Sequence, residues 1–220
     1  MSEIVHASVE EYLEAMYGLT EEGIPVIQAR LVERLGYSPQ AVSEMVRRLI
    51  DDGFLTKAGR GVSFTEQGIS QARSVVRRHR LAERFLVDIV GLPWHKAHME
   101  AGRWEHVISD DVEARFIELL GNPSTCPHGS PIPGGPQVTT PQIPMAEARQ
   151  GSHVHLARIT EQIETDPASL VYLSEHGIIP GRDAVISERA PDGTIVLTLA
   201  EDGKTVAVGA AMSRQIFVNS

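Results

Sequence analysis

The hydrophobic pattern of this chain changes period once, and a proline-rich stretch marks the change. Residues 122–144 hold seven of the 13 prolines, together with several glycines. Proline fixes φ and has no N–H, so neither a helix interior nor a central strand runs through such a stretch. Ahead of it, apolar residues recur at helical spacing. Beyond Ser152 they alternate, in VHLARI, DAVISERA, TIVLTL, KTVAVG and RQIFV. Alternation places every second side chain on one face of a strand. Asp192-Gly193 and Asp202-Gly203 are hairpin turn signals. About five short strands at this spacing predict a small barrel. The fold class read from this is α+β and multidomain. The domains are 1–73, a three-helix and hairpin unit; 74–138, helical; 139–151, a Pro/Gly-rich linker; and 152–220, the barrel.

The helical part resolves further. Periodicity predicts a first helix over 8–20, with Val9, Tyr12, Leu13, Met16 and Tyr17 on one side and Ser8 with Glu11 as a capping box. A second helix runs from Val26 to Leu35 and is closed by Gly36. Ser38-Pro39 opens a third, as N-cap and first helical residue. Val42, Met45, Val46, Leu49 and Ile50 line its inner face, and Gly53 ends it. Phe54 to Phe64 predicts a hairpin turning at Gly59-Arg60-Gly61. Three short helices and a hairpin describe a winged helix-turn-helix. Thr65 then caps a long helix reaching Val90, another runs from Pro93 to Ile108, and Ser109 caps one ending near Leu120-Gly121. Phe85, Leu86, Ile89, Trp94, Trp104, Val107, Phe116 and Leu119 give these helices enough apolar surface to face a second subunit.

Composition narrows the function. A net charge of -9 excludes a basic nucleic-acid coat but leaves room for a local positive face. The third helix presents one: Gln40, Ser43, Glu44, Arg47 and Arg48 point outward, Ser38 and Pro39 sit at its start, and Arg30, Lys57 and Arg60 flank it. Arginine and lysine neutralise phosphates, while Gln and Ser near a helix start meet base edges. Glu44 fits only as an acceptor from a cytosine amino group. The single cysteine, Cys126, fits a reducing compartment. With no signal peptide and no apolar run of about 20 residues, a soluble cytoplasmic protein is expected, with no membrane partner.

The segment Leu92 to Ser109 carries a second chemistry. If it is one helix, His98, Gly102, Glu105 and His106 share a face. His79 and Glu83 stand one turn apart in RRHRLAERFL, and Glu11 and Glu14 one turn apart on the first helix. Imidazoles and carboxylates on rigid elements suit a divalent cation. Each residue also has an ordinary role: Glu11 as half of a capping box, His79 and Glu83 as a surface pair. His95, His128, His153, His155 and His176 read as structural or solvated. No H-E-x-x-H, phosphate loop or nucleophile elbow accompanies the cluster. A metal-dependent regulator, a metallohydrolase with an open coordination position and a metal-independent winged-helix regulator all remain open.

Over nearly its whole length the chain resembles the diphtheria toxin repressor family of metal-dependent bacterial transcription regulators. The resemblance is carried by RHRLAERFL around His79, EAGRWEHVIS around Glu105 and HGSPIPG from His128 to Gly134. It implies a winged helix-turn-helix, a helical dimerisation domain and a C-terminal SH3-like barrel. It implies a regulator rather than an enzyme: a homodimer repressing metal-uptake genes from a palindromic double-stranded operator. It also implies a primary metal site of Glu11, Glu105, His106 and the Gly102 carbonyl, with Glu14 matching a ligand of the manganese regulators. An ancillary site would join His79, Glu83 and His98 to Glu164 of the barrel. The chain departs from the iron-responsive pattern, which has methionine at the position of Glu11 and cysteine at that of Gly102. Manganese-responsive members carry carboxylates at both. A barrel glutamine ligand is replaced by Pro167, leaving Asp166 as the neighbouring donor. Hard donors without thiolate or thioether favour Mn(II), with Fe(II) as the alternative and Co(II), Zn(II) or Cd(II) as substitutes. Such ligands bind deprotonated, so activation is expected to weaken as pH falls. A cation stapling the first helix to the pairing core would set the spacing of the two reading helices, about 34 Å or a multiple of it.

Overall fold

A computed structural model describes residues 2–219, with side chains from Val9 to Asn219. It divides into two compact units: residues up to 79 with 102–110, and residues 80–101 with 111 onward. No helix among the described residues is long and apolar enough to cross a membrane.

The first unit opens with α1 (Ser2–Glu21), α2 (Gln28–Leu35) and α3 (Pro39–Asp51). A hairpin of β1 (Leu55–Ala58) and β2 (Gly61–Phe64) follows, turning at Gly59-Arg60 as predicted. Tyr12, Leu13, Met16 and Leu19 of α1 form one buried core with Leu31 of α2 and Val42, Val46 and Leu49 of α3. The ends of these helices follow local rules. Gly36 takes φ 69° at the end of α2, and its N–H bonds the Val32 carbonyl. Ser38 Oγ accepts the Ala41 N–H at 3.2 Å, and Pro39 stands at the first position of α3. Thr65 Oγ1 accepts from the Gly68 N–H at 3.0 Å and so caps α4 (Glu66–Asp88).

Two expectations for the helical part of the chain are corrected. The helix expected over 8–20 starts at Ser2, so the backbone at Ser8 is already helical and the Ser8–Glu11 capping box is not used. The Ser8 side chain lies outside the described residues. The helix expected over 93–108 is a 3-10 turn (Trp94–Lys96) followed by α5 (Ala97–Trp104). The N–H groups of Val107 and Ile108 both bond the Trp104 carbonyl, which closes the ladder and leaves Glu105 and His106 in a turn. His98 and Gly102 are helical; Glu105 and His106 are not on the same helix face.

In the second unit, α6 (Asp110–Leu120) ends at Gly121, and Phe116 stacks on Phe85 with centroids 4.4 Å apart. The remainder builds around an antiparallel sheet of β3 (Ile143–Pro144), β4 (His153–Ile159), β5 (Asp183–Arg189), β6 (Ile195–Leu199), β7 (Thr205–Val208) and β8 (Ile216–Asn219). Its order is β3-β8-β4-β5-β6-β7, and the five strands read from alternation are all present. β6 shows the cause: Ile195, Leu197 and Leu199 are buried while Val196 and Thr198 are not. Three short helices were not anticipated: α7 (Glu161–Glu164), α8 (Pro167–Glu175) and α9 (Ala210–Ser213). Asp166 and Pro167 start α8 by the same cap-and-proline device that starts α3. Residues 143–148, read as linker, instead form β3 and a 3-10 turn, with Met145 and Ala148 buried in the sheet core.

Two glycines make opposite demands. A Cβ at Gly68 would lie 1.9 Å from the Phe54 carbonyl oxygen, whereas one at Gly102 would meet nothing within 4 Å. Alanine is favoured over glycine in a helix by about 0.5–1 kcal/mol. Gly102→Ala is therefore expected to raise the thermal midpoint slightly, and Gly68→Ala to lower it despite the same propensity gain. Calorimetric unfolding of both variants checks the pair.

Candidate metal centre and reading helix

Three remote segments converge in the first unit. α1 supplies Glu10, Glu11 and Glu14; α4 supplies His79; the turn after α5 supplies Glu105 and His106. Ligand atoms of Glu14, His79 and Glu105 all lie within 4.8 Å of one another. His79 Nδ1 is 3.3 Å from Glu14 Oε1 and in closer contact with Glu105 Oε2. His79 and Glu105 are 5% and 2% exposed, so the group is shielded from bulk water. Buried carboxylates are costly unless their charge is offset. A cluster of oxygen and nitrogen donors with excess negative charge fits a hard or borderline divalent cation.

His106 completes this group through a residue the sequence reading missed. Its Nδ1 lies 2.6 Å from Glu10 Oε2, and its Nε2 lies 3.2 Å from Glu105 Oε1. Glu10 also accepts from Gln71 Nε2 at 3.1 Å. A carboxylate on one ring nitrogen fixes the tautomer and leaves the other nitrogen for coordination. The hydrogen bond to Glu10 raises the His106 pKa; burial opposes this, and Glu105, Glu10 and Glu11 add to the rise. Glu11 itself accepts from the Tyr37 hydroxyl through both oxygens, at 3.1 and 3.0 Å.

A second cluster lies wholly within the other unit. Glu83 Oε1 is 3.2 Å from His98 Nδ1 and 3.1 Å from His128 Nδ1. Glu164 Oε2 is 3.2 Å from His98 Nδ1 and 3.6 Å from His128 Nδ1. Glu83, Cys126 and His128 also offer ligand atoms within 4.8 Å of one another. His128, read from sequence as structural or solvated, is completely buried, and its Nε2 has no hydrogen-bond partner among the described residues. Burial alone would lower its pKa, but Glu83 and Glu164 outweigh that and raise it. Burial also drives the Cys126 thiol well up, with Glu83 and Glu164 adding to it. Arg84 holds the loop in place by donating to the carbonyls of Thr125 and Cys126.

The predicted ligands thus divide differently from expectation. His79 stands with Glu14 and Glu105, Glu83 and His98 stand with Glu164 and His128, and Glu11 faces Tyr37. Asp166 accepts from Ala168 N–H and Ser169 Oγ as a helix cap, so it serves α8. The candidate reading face is exposed on α3: Ser38, Pro39, Gln40, Glu44, Arg47 and Arg48 are open to solvent, and Ser43 is half-buried. Arg30, Lys57 and Arg60 are exposed too. Glu44 accepts from Gln40 at 3.0 Å, Arg48 pairs with Asp52, and Arg30 pairs with Glu33.

Known proteins resemble the chain over nearly its whole length. Residues 5–62 match the model of the iron-dependent repressor N-terminal DNA-binding domain. Residues 65–134 match the iron-dependent repressor metal-binding and dimerisation domain, and residues 143–220 the FeoA domain. The chain is 40% identical to the iron-dependent repressor IdeR of Mycobacterium tuberculosis H37Rv over 211 residues, covering 90% of this chain and 91% of that one. It is 39% identical to the diphtheria toxin repressor of Corynebacterium diphtheriae, with the same coverage. A solved structure of a manganese-dependent transcriptional repressor in complex with manganese superposes with a TM-score of 0.87 at 34% identity, covering 96% of this chain and 99% of that one.

Partners that orient a ligating histidine are commonly worth about 10- to 100-fold in metal affinity. Glu10→Gln keeps the shape and removes the charge, and is expected to weaken Mn(II) binding by about tenfold at unchanged stoichiometry. Competition against a chelating dye measures it.

Proposed function

Since the chain belongs to the diphtheria toxin repressor family of iron-dependent repressors, and is a metal-dependent, DNA-binding transcriptional repressor rather than an enzyme, we propose that its activating metal is Mn(II). The observation that carries this reading is the convergence of Glu14 with the buried His79 and Glu105, from three distant segments, with ligand atoms within 4.8 Å. We assign Glu14, His79, Glu105 and His106 Nε2 as the primary donors, with Glu11 one turn before Glu14 as a further one. All are oxygen or imidazole nitrogen, a set that suits manganese. Fe(II) is the second reading, supported by the 40% identity to an iron-dependent repressor. The ancillary set is Glu83, His98, His128 and Glu164, with the Cys126 thiol beside them.

When bound, a divalent cation supplies positive charge to buried carboxylates. Glu14 and Glu11 extend from α1, whose other face carries Leu13, Met16 and Leu19 into the core shared with Leu31 and Leu49. The position of α1 against His79 and the Glu105–His106 turn is therefore transmitted to α2 and α3 through packed side chains. Arg47, Arg48, Lys57 and Arg60 meet phosphates, and Gln40 and Ser43 meet base edges. Ile89, Val90, Met99 and Leu119 are each more than half exposed, which supports a homodimer. A two-fold dimer reads a palindromic operator, with half-sites about 34 Å apart or a multiple of that. A cytoplasmic location follows from that partner.

Metal-linked coupling of this type is typically about 5- to 150-fold in DNA affinity. Mn(II) is expected to tighten operator binding within that range, and Glu105→Ala to abolish the gain. Electrophoretic titration with Mn(II) and with excess chelator measures both; equal binding in the two conditions refutes the reading. A Cβ at position 102 meets nothing within 4 Å, so a cysteine is tolerated there, and Gly102→Cys combined with Glu11→Met is expected to shift potency towards Fe(II) and Co(II). An unchanged order of metals in the same titration counts against the assignment of these positions.

A further inference from the structure

Glu11 lies on the metal-binding face of α1, yet its described partner is not part of the metal cluster. Tyr37 donates its hydroxyl to it, 3.1 Å from one carboxylate oxygen and 3.0 Å from the other. A hydroxyl that bridges both oxygens occupies acceptor sites that a chelating cation needs, so the two compete for Glu11. Tyr37 itself is the single residue between Gly36, which ends α2, and Ser38, which caps α3. Its ring stacks on Tyr12 with centroids 5.9 Å apart and planes 10° from parallel. The same two rings line a cleft of about 380 Å³ with Ala41, Glu44, Met45 and Arg48 of α3. One side chain thus ties a metal-face carboxylate to the start of the reading helix.

We propose that Tyr37 is a latch: its hydroxyl competes with a cation for the Glu11 carboxylate, and its ring stands at the turn that sets the start of α3. This rests on the assignment of Glu11 as a metal donor and of α3 as the reading helix. Capture of Glu11 by a cation frees the phenol of the residue that joins α2 to α3. Metal occupancy is then sensed at α3 through one hydrogen bond, beside the packed core.

Tyr37→Phe keeps the stack on Tyr12 and removes only the donor. A hydrogen bond of ordinary net worth corresponds to a change of about 3- to 10-fold. In the full-length chain, Tyr37→Phe is expected to bind Mn(II) about 3- to 10-fold more tightly by calorimetry. Its operator affinity in excess chelator is expected to rise, so the ratio between manganese and chelator conditions falls by a similar factor. In a Glu11→Ala background the same change should do nothing to Mn(II) affinity, because the latch has lost its partner. Unchanged or weaker Mn(II) binding by Tyr37→Phe overturns the latch, as does a gain that persists without Glu11. If Tyr37→Phe fails to fold, wild-type chain carrying ring-labelled tyrosine is titrated with diamagnetic Cd(II). The Tyr37 resonances are expected to shift, and their immobility overturns the proposal. A wild-type chain indifferent to Mn(II) in operator binding removes the underlying reading itself, whereas a responsive wild type with an identical Tyr37→Phe removes only the latch.

Discussion

Carboxylates at Glu10, Glu14 and Glu105 stand in or against the core of the first unit, where water does little to stabilise their charge. Their described partners are the imidazoles of His79 and His106 and the amide of Gln71. A buried carboxylate is costly unless opposite charge or hydrogen bonds offset it. The residues involved are 14, 79 and 105, far apart in sequence. Meeting the electrostatic need of the cluster therefore fixes α1, α4 and the turn after α5 together. These charged contacts add to the apolar core, which already joins Ala72 of α4 to the helix-turn-helix.

The second unit answers a similar problem with a different donor set. Glu83 and Glu164 flank His98 and His128, and a thiol adjoins them. A sulfur atom among the candidate ligand atoms makes this set softer than the oxygen and nitrogen group of the first unit. The loop that carries Cys126 and His128 is pinned by guanidinium groups: Arg84 to the carbonyls of Thr125 and Cys126, and Arg80 to that of Pro131. The long helix α4 thus supplies His79 to one group, Glu83 to the other, and the arginines that hold the second group's loop.

What could be read from the sequence was what local rules determine. Gly36, Ser38-Pro39 and Gly59 are end and turn signals whose physics lies within a few residues, and α2, α3 and the wing follow from them. β4 to β8 follow from alternation, because one face of the sheet is buried. The end of α5 was hidden: nothing in RWEHVIS distinguishes a helix from the turn that forms once two N–H groups share the Trp104 carbonyl. α7 and α8 were masked by the expectation of strands, although Asp166-Pro167 carries the same starting signal as Ser38-Pro39. At the metal face, spacing showed that Glu11 and Glu14 lie one turn apart, but not how α1 is rotated. That rotation puts Glu14 with His79 and Glu105, Glu10 with His106, and Glu11 with Tyr37. His128 opens HGSPIPG, a stretch that carries the resemblance, but its place in the cluster had no local signal, since its partners come from 45 residues before it and 36 after.

The chain's only thiol has a consequence of its own. Cys126 is 1% exposed, and burial pushes its thiol pKa well up, which favours the protonated and less nucleophilic form. An alkylating reagent therefore reacts only in those moments when the segment around Thr125 and Pro131 comes away from its arginine clamps. Labelling speed at this one atom becomes a clock for the breathing of the folded domain, with no probe attached and no residue changed.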